Sequence, residues 1–292
     1  IISMASSTET IEKTIKYLNE KGKKLGLVKV RLFRPFSTKH LLKVLPSTIK
    51  SIAVLDKTKE PGATGEPLYL DIVQSISEAF QNKEISTFPR VIGGRYGLSS
   101  KEFTPSMVKA IFSNLKKEKL KQNFTIGITD EVTHLSLDYS NQFVLNESAY
   151  QTIFYQSKTN KLINSFDNVL QLVGNTPNTF IQSYTECDYN KSINILHKTH
   201  LRIDSKAFHS PYLISNADLI VCQNALPLEK DNVLDLLKPN GTLLVNTSLS
   251  SLLFWQTLSA NKQYQIVEKN IQLYIVDEHE LKEYYILNDN LI

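Results

Sequence analysis

The sequence has little cysteine and no long apolar run. Its two cysteines among 292 residues are too few for a disulfide framework or for the ligands of an iron–sulfur cluster. We interpret both, Cys187 and Cys222, as small core residues, and we expect a reducing compartment, either the cytoplasm or the interior of a reduced organelle. No stretch of 18 apolar residues occurs, so we predict no transmembrane helix and no membrane partner.

The sequence also lacks a strong excess of one charge. Its 33 basic and 29 acidic residues leave a net charge of +4, and no basic stripe interleaved with aromatic residues is present. Nucleic acid is therefore not an expected partner. The first seven residues lack the charged head and apolar segment of a signal peptide. Their β-branched start favours a strand that is entered from an upstream part of a longer chain.

Predicted strands alternate with predicted helices in the first half. The predicted strands are 1–4, 27–33, 51–55 and one from Val91, and the predicted helices are 8–21, 38–45, 66–80 and one from Thr104. Thr104 followed by Pro105 is a favourable helix start. This alternation predicts a largely parallel sheet covered on both faces. Phe124–Tyr139 lacks a long period and is predicted to cross the surface as a connecting segment.

A second α/β unit is predicted to begin near Ser148, with the boundary between Tyr139 and Ala149. Its predicted strands are 152–155, 169–173, 219–222, 242–246 and 271–276, and its predicted helix is 233–237. Glycine is scarce here: eight of the ten glycines lie at or before Gly127. A phosphate-binding loop needs glycines where backbone N–H groups approach phosphate oxygens. The second unit therefore has no Rossmann fingerprint.

Four stretches of the first half carry a family resemblance: IISMASSTETIEKTIKYLNEKGKKLGLVKVRLFRPFS (1–37), IAVLDKTKEPGATGEPLYLDI (52–72), RVIGGRYGLSSKEFTPSMVKAIF (90–112) and FTIGITDEVTHLSLDY (124–139). They resemble the second domain of pyruvate:ferredoxin (flavodoxin) oxidoreductases. The resemblance implies a parallel-sheet domain similar to the C-terminal domain of transketolase. We assign residues 1–145 to this domain, with 123–145 as its connecting segment.

The second half resembles the third domain of the same family, which corresponds to the separate gamma subunit of multi-subunit relatives. The resemblance rests on THLRI (199–203), SPYLISNADLIVCQN (210–224), LLKPNGTLLVNTS (236–248) and EKNIQLYIVD (268–277). It implies a diverged Rossmann-like α/β domain over residues 146–292.

The resemblance also implies recognition of coenzyme A by a glycine-rich loop and a later lysine-rich segment. Here residues 156–164, after the first strand, contain no glycine. Lys158, Lys161 and Lys191 remain as candidates for weak contacts with coenzyme A phosphates, acting as point charges.

The family chemistry implied for the longer parent chain is oxidative decarboxylation of pyruvate to acetyl-CoA. It implies thiamine diphosphate, magnesium and iron–sulfur clusters in other domains, and a homodimer. This segment contains no cluster ligands and no recognisable diphosphate–metal motif, so we assign it no catalytic residue and no cofactor of its own. We expect this segment to act as a scaffold and to contribute contacts with coenzyme A. The alternative is a non-catalytic module of the same descent in another redox protein, such as a sulfite reductase flavoprotein.

Charged residues near the ends of predicted strands are the remaining candidates. The loop after residue 55 carries Lys59, Glu60 and Glu66, and Arg95 follows a later strand. We interpret all four as contacts with neighbouring domains, and a role at the active site or in anion binding stays open. His197 and His200 have a spacing that a zinc site can use, but a strand is favoured there and no third ligand lies nearby.

Overall fold

The structure, a computed structural model, describes residues 1–97, 101–129, 132–140, 142–157, 170–187 and 196–277. The chain divides into two compact units. The first comprises Ile1–Leu145 together with Ser210–Tyr212, and the second comprises Asn146–His209 and Leu213–Ile292.

The first unit alternates strands with helices along the chain. Its elements are β1 (Ile2–Met4), α1 (Ser7–Glu20), β2 (Val28–Val30), α2 (Thr38–Val44), β3 (Ser51–Asp56), α3 (Pro67–Gln81), β4 (Arg90–Tyr96), α4 (Pro105–Asn114) and β5 (Phe124–Ile126). The strands form a sheet in the order β2-β1-β3-β4-β5, and every neighbouring pair is parallel. The predicted parallel sheet is confirmed.

Apolar side chains cover this sheet on both faces. Along β3, Ala53 and Leu55 contact one cluster, which includes Ile11 and Ile15 of α1 and residues of α4. Ile52 and Val54 point to the other cluster, which includes residues of α2 and α3. Because side chains alternate along a strand, this double burial explains why β3 is an almost uninterrupted apolar run.

The strand β5 corrects the expectation that Phe124–Tyr139 is only a connecting segment. Phe124 and Ile126 are completely buried, and β5 pairs with Gly94, Arg95 and Tyr96 of β4. A strand of three residues is too short to show a period in the sequence.

The second unit contains a mixed sheet. Its elements are β6 (Tyr150–Ser157), β7 (Phe180–Cys187), β8 (Leu196–Asp204), β9 (Ala217–Cys222), α5 (Leu226–Lys230), a 3-10 helix (Val233–Leu236), β10 (Leu237–Asn246), α6 (Ser251–Thr257), α7 (Ala260–Glu268) and β11 (Gln272–Val276). The order is β11-β10-β9-β6-β8-β7. The first four strands are parallel, and β8 runs antiparallel to both β6 and β7.

Two expectations for the second unit were wrong in detail. Residues 170–174 are helical, where a strand was predicted over 169–173, because a short apolar run suits either structure. The strand β6 also continues to Ser157, so Gln156 and Ser157 belong to the strand rather than to the following loop. The α/β class itself is confirmed, with two antiparallel strands added to the parallel part.

None of the helices in the described ranges is both long and apolar enough to cross a bilayer.

Candidate functional site

The first candidate site lies at the carboxyl ends of the strands in the first sheet. The strand β2 lies on one side of β1, and the later strands β3, β4 and β5 lie on the other side. The strand order therefore reverses at β1. Open α/β sheets bind ligands at such a switch point, next to the carboxyl ends of the strands. Two segments reach this edge: the tight turn at Ala5, which has a φ of 55°, and the loop of residues 57–66 that follows β3.

The last residue of β3, Asp56, caps a helix from a distance. Its Oδ1 accepts a hydrogen bond from the backbone N–H of Leu68 at 3.0 Å, and its Oδ2 accepts one from Tyr69 at 3.2 Å. Both donors lie in the first turn of α3, whose own N-cap residue, Glu66, makes no side-chain cap. Burial raises the pKa of Asp56, while the two backbone hydrogen bonds oppose that rise. Asp56 therefore fixes where α3 begins relative to the strand.

The side chain of Glu66 joins the loop to β4. Its Oε1 lies 3.0 Å from Nη1 of Arg95, and its Oε2 accepts a 2.7 Å hydrogen bond from the backbone N–H of Glu60. The Glu66 side chain is 12% exposed and that of Arg95 is 19% exposed. Asp56 pairs with Arg95 in the β3–β4 register, and this register brings Arg95 beside the loop.

A turn at Pro61–Gly62 shapes the tip of the loop. The N–H of Ala63 donates to the carbonyl of Glu60 at 3.2 Å, and Gly62 has a φ of +82°. Proline followed by a glycine at positive φ is the pattern of a type II turn. Residues 57–64 are all exposed, so the loop presents a surface of defined shape that is held at its base by Glu66.

The two central glycines of β4 serve packing. A Cβ on Gly94 would lie 2.2 Å from the ring of Phe124, and a Cβ on Gly93 would lie 3.0 Å from the ring of Tyr69. The absence of side chains at these positions therefore allows two aromatic rings to lie against the backbone of the strand.

The structure thus brings together three of the four residues proposed as domain contacts: Glu60, Glu66 and Arg95. The fourth, Lys59, is exposed on the same loop and has no ion-pair partner among the described residues. The partner of Arg95 within the described ranges is Glu66, a residue of the same unit. Contacts of this loop with other domains stay a prediction.

A second cluster of charged groups lies on the sheet of the second unit. Lys198, His200 and Arg202 alternate along β8, so their side chains lie on one face of the sheet. In the register with β7, Glu186 is opposite Lys198, and their side chains approach to 3.5 Å. Basic residues at every second position of a predicted strand were the available signal for this cluster; its acidic members gave none.

The buried His200 has both ring nitrogens engaged. Its Nε2 lies 2.7 Å from Oε2 of Glu186, and its Nδ1 accepts a 3.1 Å hydrogen bond from the backbone N–H of Ile214. A nitrogen that accepts an N–H cannot carry a proton, so Nε2 is the protonated nitrogen in this geometry. Burial lowers the pKa of His200, and the hydrogen bond to Glu186 opposes that effect. His200 is therefore a neutral structural anchor for the segment at Ile214.

Arg202 forms a buried ion pair on the same face. Its Nε lies 3.2 Å from Oε2 of Glu147, and the two side chains are 4% and 6% exposed. The same Nε lies 3.3 Å from Oε1 of Gln151, whose amide donates to the carbonyl of Asn216. These contacts join β6, β8 and the start of β9, which indicates a structural role for Arg202.

The remaining candidates offer no chemistry within the described ranges. Cys222 is completely buried, and burial raises the pKa of its thiol to about 12, so it is an inert core residue. Among the described residues, no group of three His, Cys, Asp or Glu side chains can hold a metal ion. Lys158, Lys161 and Lys191 lie outside the described residues.

Comparison with protein families places both halves of the chain. Residues 1–100 match the family model described as pyruvate:ferredoxin oxidoreductase core domain II, and residues 195–286 match the model described as pyruvate ferredoxin/flavodoxin oxidoreductase. A probable pyruvate-flavodoxin oxidoreductase of Escherichia coli is 42% identical over 277 residues, which are 95% of this chain. The chain belongs to the pyruvate:ferredoxin (flavodoxin) oxidoreductase family.

Two further relatives also match over nearly the whole chain. The pyruvate:ferredoxin oxidoreductase of Moorella thermoacetica is 42% identical over 95% of the chain, and the mitochondrial NADP(+) pyruvate dehydrogenase of Euglena gracilis is 34% identical over 96%. The chain covers 24% of the E. coli protein, 23% of the Moorella protein and 15% of the Euglena protein. It therefore corresponds to a segment of about a quarter or less of these relatives.

A solved structure, the pyruvate oxidoreductase subunit PORC of Thermotoga maritima, matches 38% of the chain and 57% of its own length, with 17% identity and a TM-score of 0.30. That likeness is too low to support an argument about this chain.

Proposed function

We propose that this chain is a scaffold segment of an enzyme that oxidatively decarboxylates pyruvate to acetyl-CoA. The observation that carries the scaffold role is the loop of residues 57–66, which lies at the carboxyl edge of the first sheet. Residues 57–64 are exposed, and the base of the loop is held by Glu66, Arg95 and Asp56. A loop that is fixed at its base and exposed along its length suits a contact with a neighbouring domain.

In this reaction the cofactors carry out the difficult electronic steps, and the protein binds and orients the cofactors. Thiamine diphosphate with magnesium, and iron–sulfur clusters, would be bound by parts of the parent polypeptide outside this chain, whose sequence has two cysteines and no recognisable diphosphate–metal motif. We propose that the parent polypeptide is a homodimer and that its other domains are the main partners of this segment.

The exposed charges of the loop would form the domain contact. Lys59 and Glu60 are exposed and alternate in sign, so they suit complementary charges on a facing surface. Glu66 and Arg95 are largely buried in their own pair. Their contribution to the contact is to hold the loop in position rather than to meet the facing domain directly.

The second unit is proposed to be a diverged gamma-like domain with weak affinity for coenzyme A. Residues 156–164 contain no glycine, so a compact nest of backbone N–H groups is not expected there. Lys158, Lys161 and Lys191 would then provide only a salt-sensitive attraction for phosphates.

The same loss of glycine favours a second candidate function, a non-catalytic module in another redox protein such as a sulfite reductase flavoprotein. In that case the fold of both units would be retained for domain contacts alone, without thiamine chemistry in the parent.

Titration calorimetry of the 292-residue chain with thiamine diphosphate and magnesium tests the scaffold function. We expect no saturable binding at micromolar concentrations, and coenzyme A binding that weakens as salt is raised. Micromolar binding of thiamine diphosphate would show that the chain holds the cofactor itself and would refute the proposal.

A further inference from the structure

A groove runs along the outer edge of the first sheet, between β2 and α2. Its volume is about 460 Å³. Its floor is apolar and is formed by Val28, Val30, Phe36 and Leu41. Val44, which also lines the groove, is 57% exposed, and Leu32 beside β2 is 70% exposed. Large apolar side chains are thus open to solvent next to a ready-made cavity.

At this edge of the sheet, backbone groups of β2 can form hydrogen bonds with an added strand. The strand β2 is the last strand of its sheet on this side, and it pairs with β1 through Val28 and Val30, beginning with the N–H of Val28 that donates to Ile1. In a parallel pair, alternate residues direct their peptide groups to the neighbour. The N–H and C=O of Lys29 therefore point away from β1, toward the side where another strand can pair.

The stretch of sequence that forms the groove is rich in basic residues. From Lys21 to Leu55 the sequence contains nine Lys and Arg residues and no Asp or Glu. Lys29 contacts two carboxylates, those of Glu9 and Glu12, and Arg34 pairs with Asp71.

Three further exposed cations, Arg31, Lys39 and Lys43, have no ion-pair partner among the described residues. Arg31 lines the groove. Lys39 and Lys43 lie on α2, which lines the groove through other residues. A binding partner of the groove therefore meets a positive potential.

We propose that this groove binds an extended acidic segment of the parent polypeptide that lies outside these 292 residues, as an added strand on β2. The segment would alternate apolar with acidic side chains. Its backbone would pair with Lys29, its apolar side chains would enter the groove, and its carboxylates would meet Arg31 and Lys43. That this segment comes from the parent polypeptide rests on the proposed function. This chain covers 24% of the E. coli relative, so about three quarters of such a polypeptide could contain the acidic segment.

A defined peptide tests the chemistry of the groove. The probe is an amidated octapeptide of alternating glutamate and valine with a fluorescein label at its N-terminus, and its fluorescence anisotropy is followed as the 292-residue chain is added. We expect binding that weakens by about tenfold or more when lysine replaces glutamate in the peptide, and also in the Arg31→Glu/Lys43→Glu variant of the chain. The matched control, Lys116→Glu/Lys117→Glu at two exposed residues just after α4, should bind like the parent chain. Equal binding of the lysine peptide, or equal loss in both charge variants, would overturn the proposal.

The position and the source of the strand need a second measurement. Amide hydrogen exchange should show protection at residues 27–32 when the glutamate peptide is bound, and protection elsewhere would contradict the pairing on β2.

A cross-linking experiment tests whether the parent polypeptide supplies the added strand. A photo-crosslinking residue at Val44 is placed in a chimera in which this chain replaces the matching segment of the E. coli relative. We expect a cross-link to an acidic segment outside the replaced region. A cross-link to β2 of a second copy, or none, would refute the assigned source, whether or not the chimera is catalytically active.

Discussion

Replacing Glu66 by alanine should release the loop of residues 57–66 while the first sheet stays folded. The substitution removes the 3.0 Å contact with Arg95 and the 2.7 Å hydrogen bond from the backbone N–H of Glu60. It leaves Asp56 in place, so the start of α3 keeps its two backbone hydrogen bonds. The expected result is a local loss of order together with a moderate loss of stability.

The magnitude follows from the burial of the pair. A hydrogen bond to a charged group is worth about 1.5–3 kcal/mol when it is buried. The 12% and 19% exposure of the two side chains lets water hydrate the released Arg95 and reduces that value. We therefore expect the free energy of unfolding to fall by about 1–3 kcal/mol.

Urea unfolding followed by far-ultraviolet circular dichroism measures the stability, and amide hydrogen exchange of residues 57–66 measures the order of the loop. The matched control is Glu60→Ala, because Glu60 contributes its backbone N–H, which alanine retains. That control should change stability by less than about 0.5 kcal/mol. Equal effects of the two substitutions, or unchanged exchange in the Glu66→Ala loop, would refute the reasoning.

Two further predictions concern packing and pH. Gly94→Ala should destabilise the first unit by about 1–3 kcal/mol in a urea titration, because the new Cβ would meet the Phe124 ring at 2.2 Å; Gly26→Ala, with nothing within 4 Å, is the control. The folded state holds His200 with a pKa below its ordinary 6.5, so it binds fewer protons than the unfolded state, and stability should fall as pH drops through about 6.5. Urea titrations at pH 7.5 and 5.5, read by the fluorescence of Trp255, should show this loss, and His200→Gln should reduce it; an unchanged pH dependence in the variant would contradict the assignment.

Much of the first unit follows from local sequence patterns. The recurrence of Ile11, Ile15 and Leu18 predicts α1, and Thr104 with Pro105 predicts the start of α4, where the Thr104 side chain accepts a hydrogen bond from the N–H of Met107. The strand β5 has no such local signal, because three residues are too few to show a period and because its burial also depends on space at Gly94, a residue 30 positions earlier.

The candidate sites could be predicted only as separate residues. The sequence predicts both Glu66 and Arg95 in segments that follow a strand, but Arg95 lies within β4. The ion pair of Arg95 with Glu66 depends on the β3–β4 register. The contact between His200 and Glu186 depends in the same way on the register of β7 with β8. Pairings of this kind are fixed by tertiary structure and leave no local signal in the sequence.

Turnover by a chimeric enzyme tests the central claim most directly. In the chimera, these 292 residues replace the matching segment of the E. coli relative, and pyruvate- and coenzyme A-dependent reduction of methyl viologen is measured beside the unmodified relative. The account predicts turnover by the chimera and none by the 292-residue chain alone. A folded chimera that retains its thiamine diphosphate and iron–sulfur content but does not turn over would contradict the account and favour the non-catalytic module.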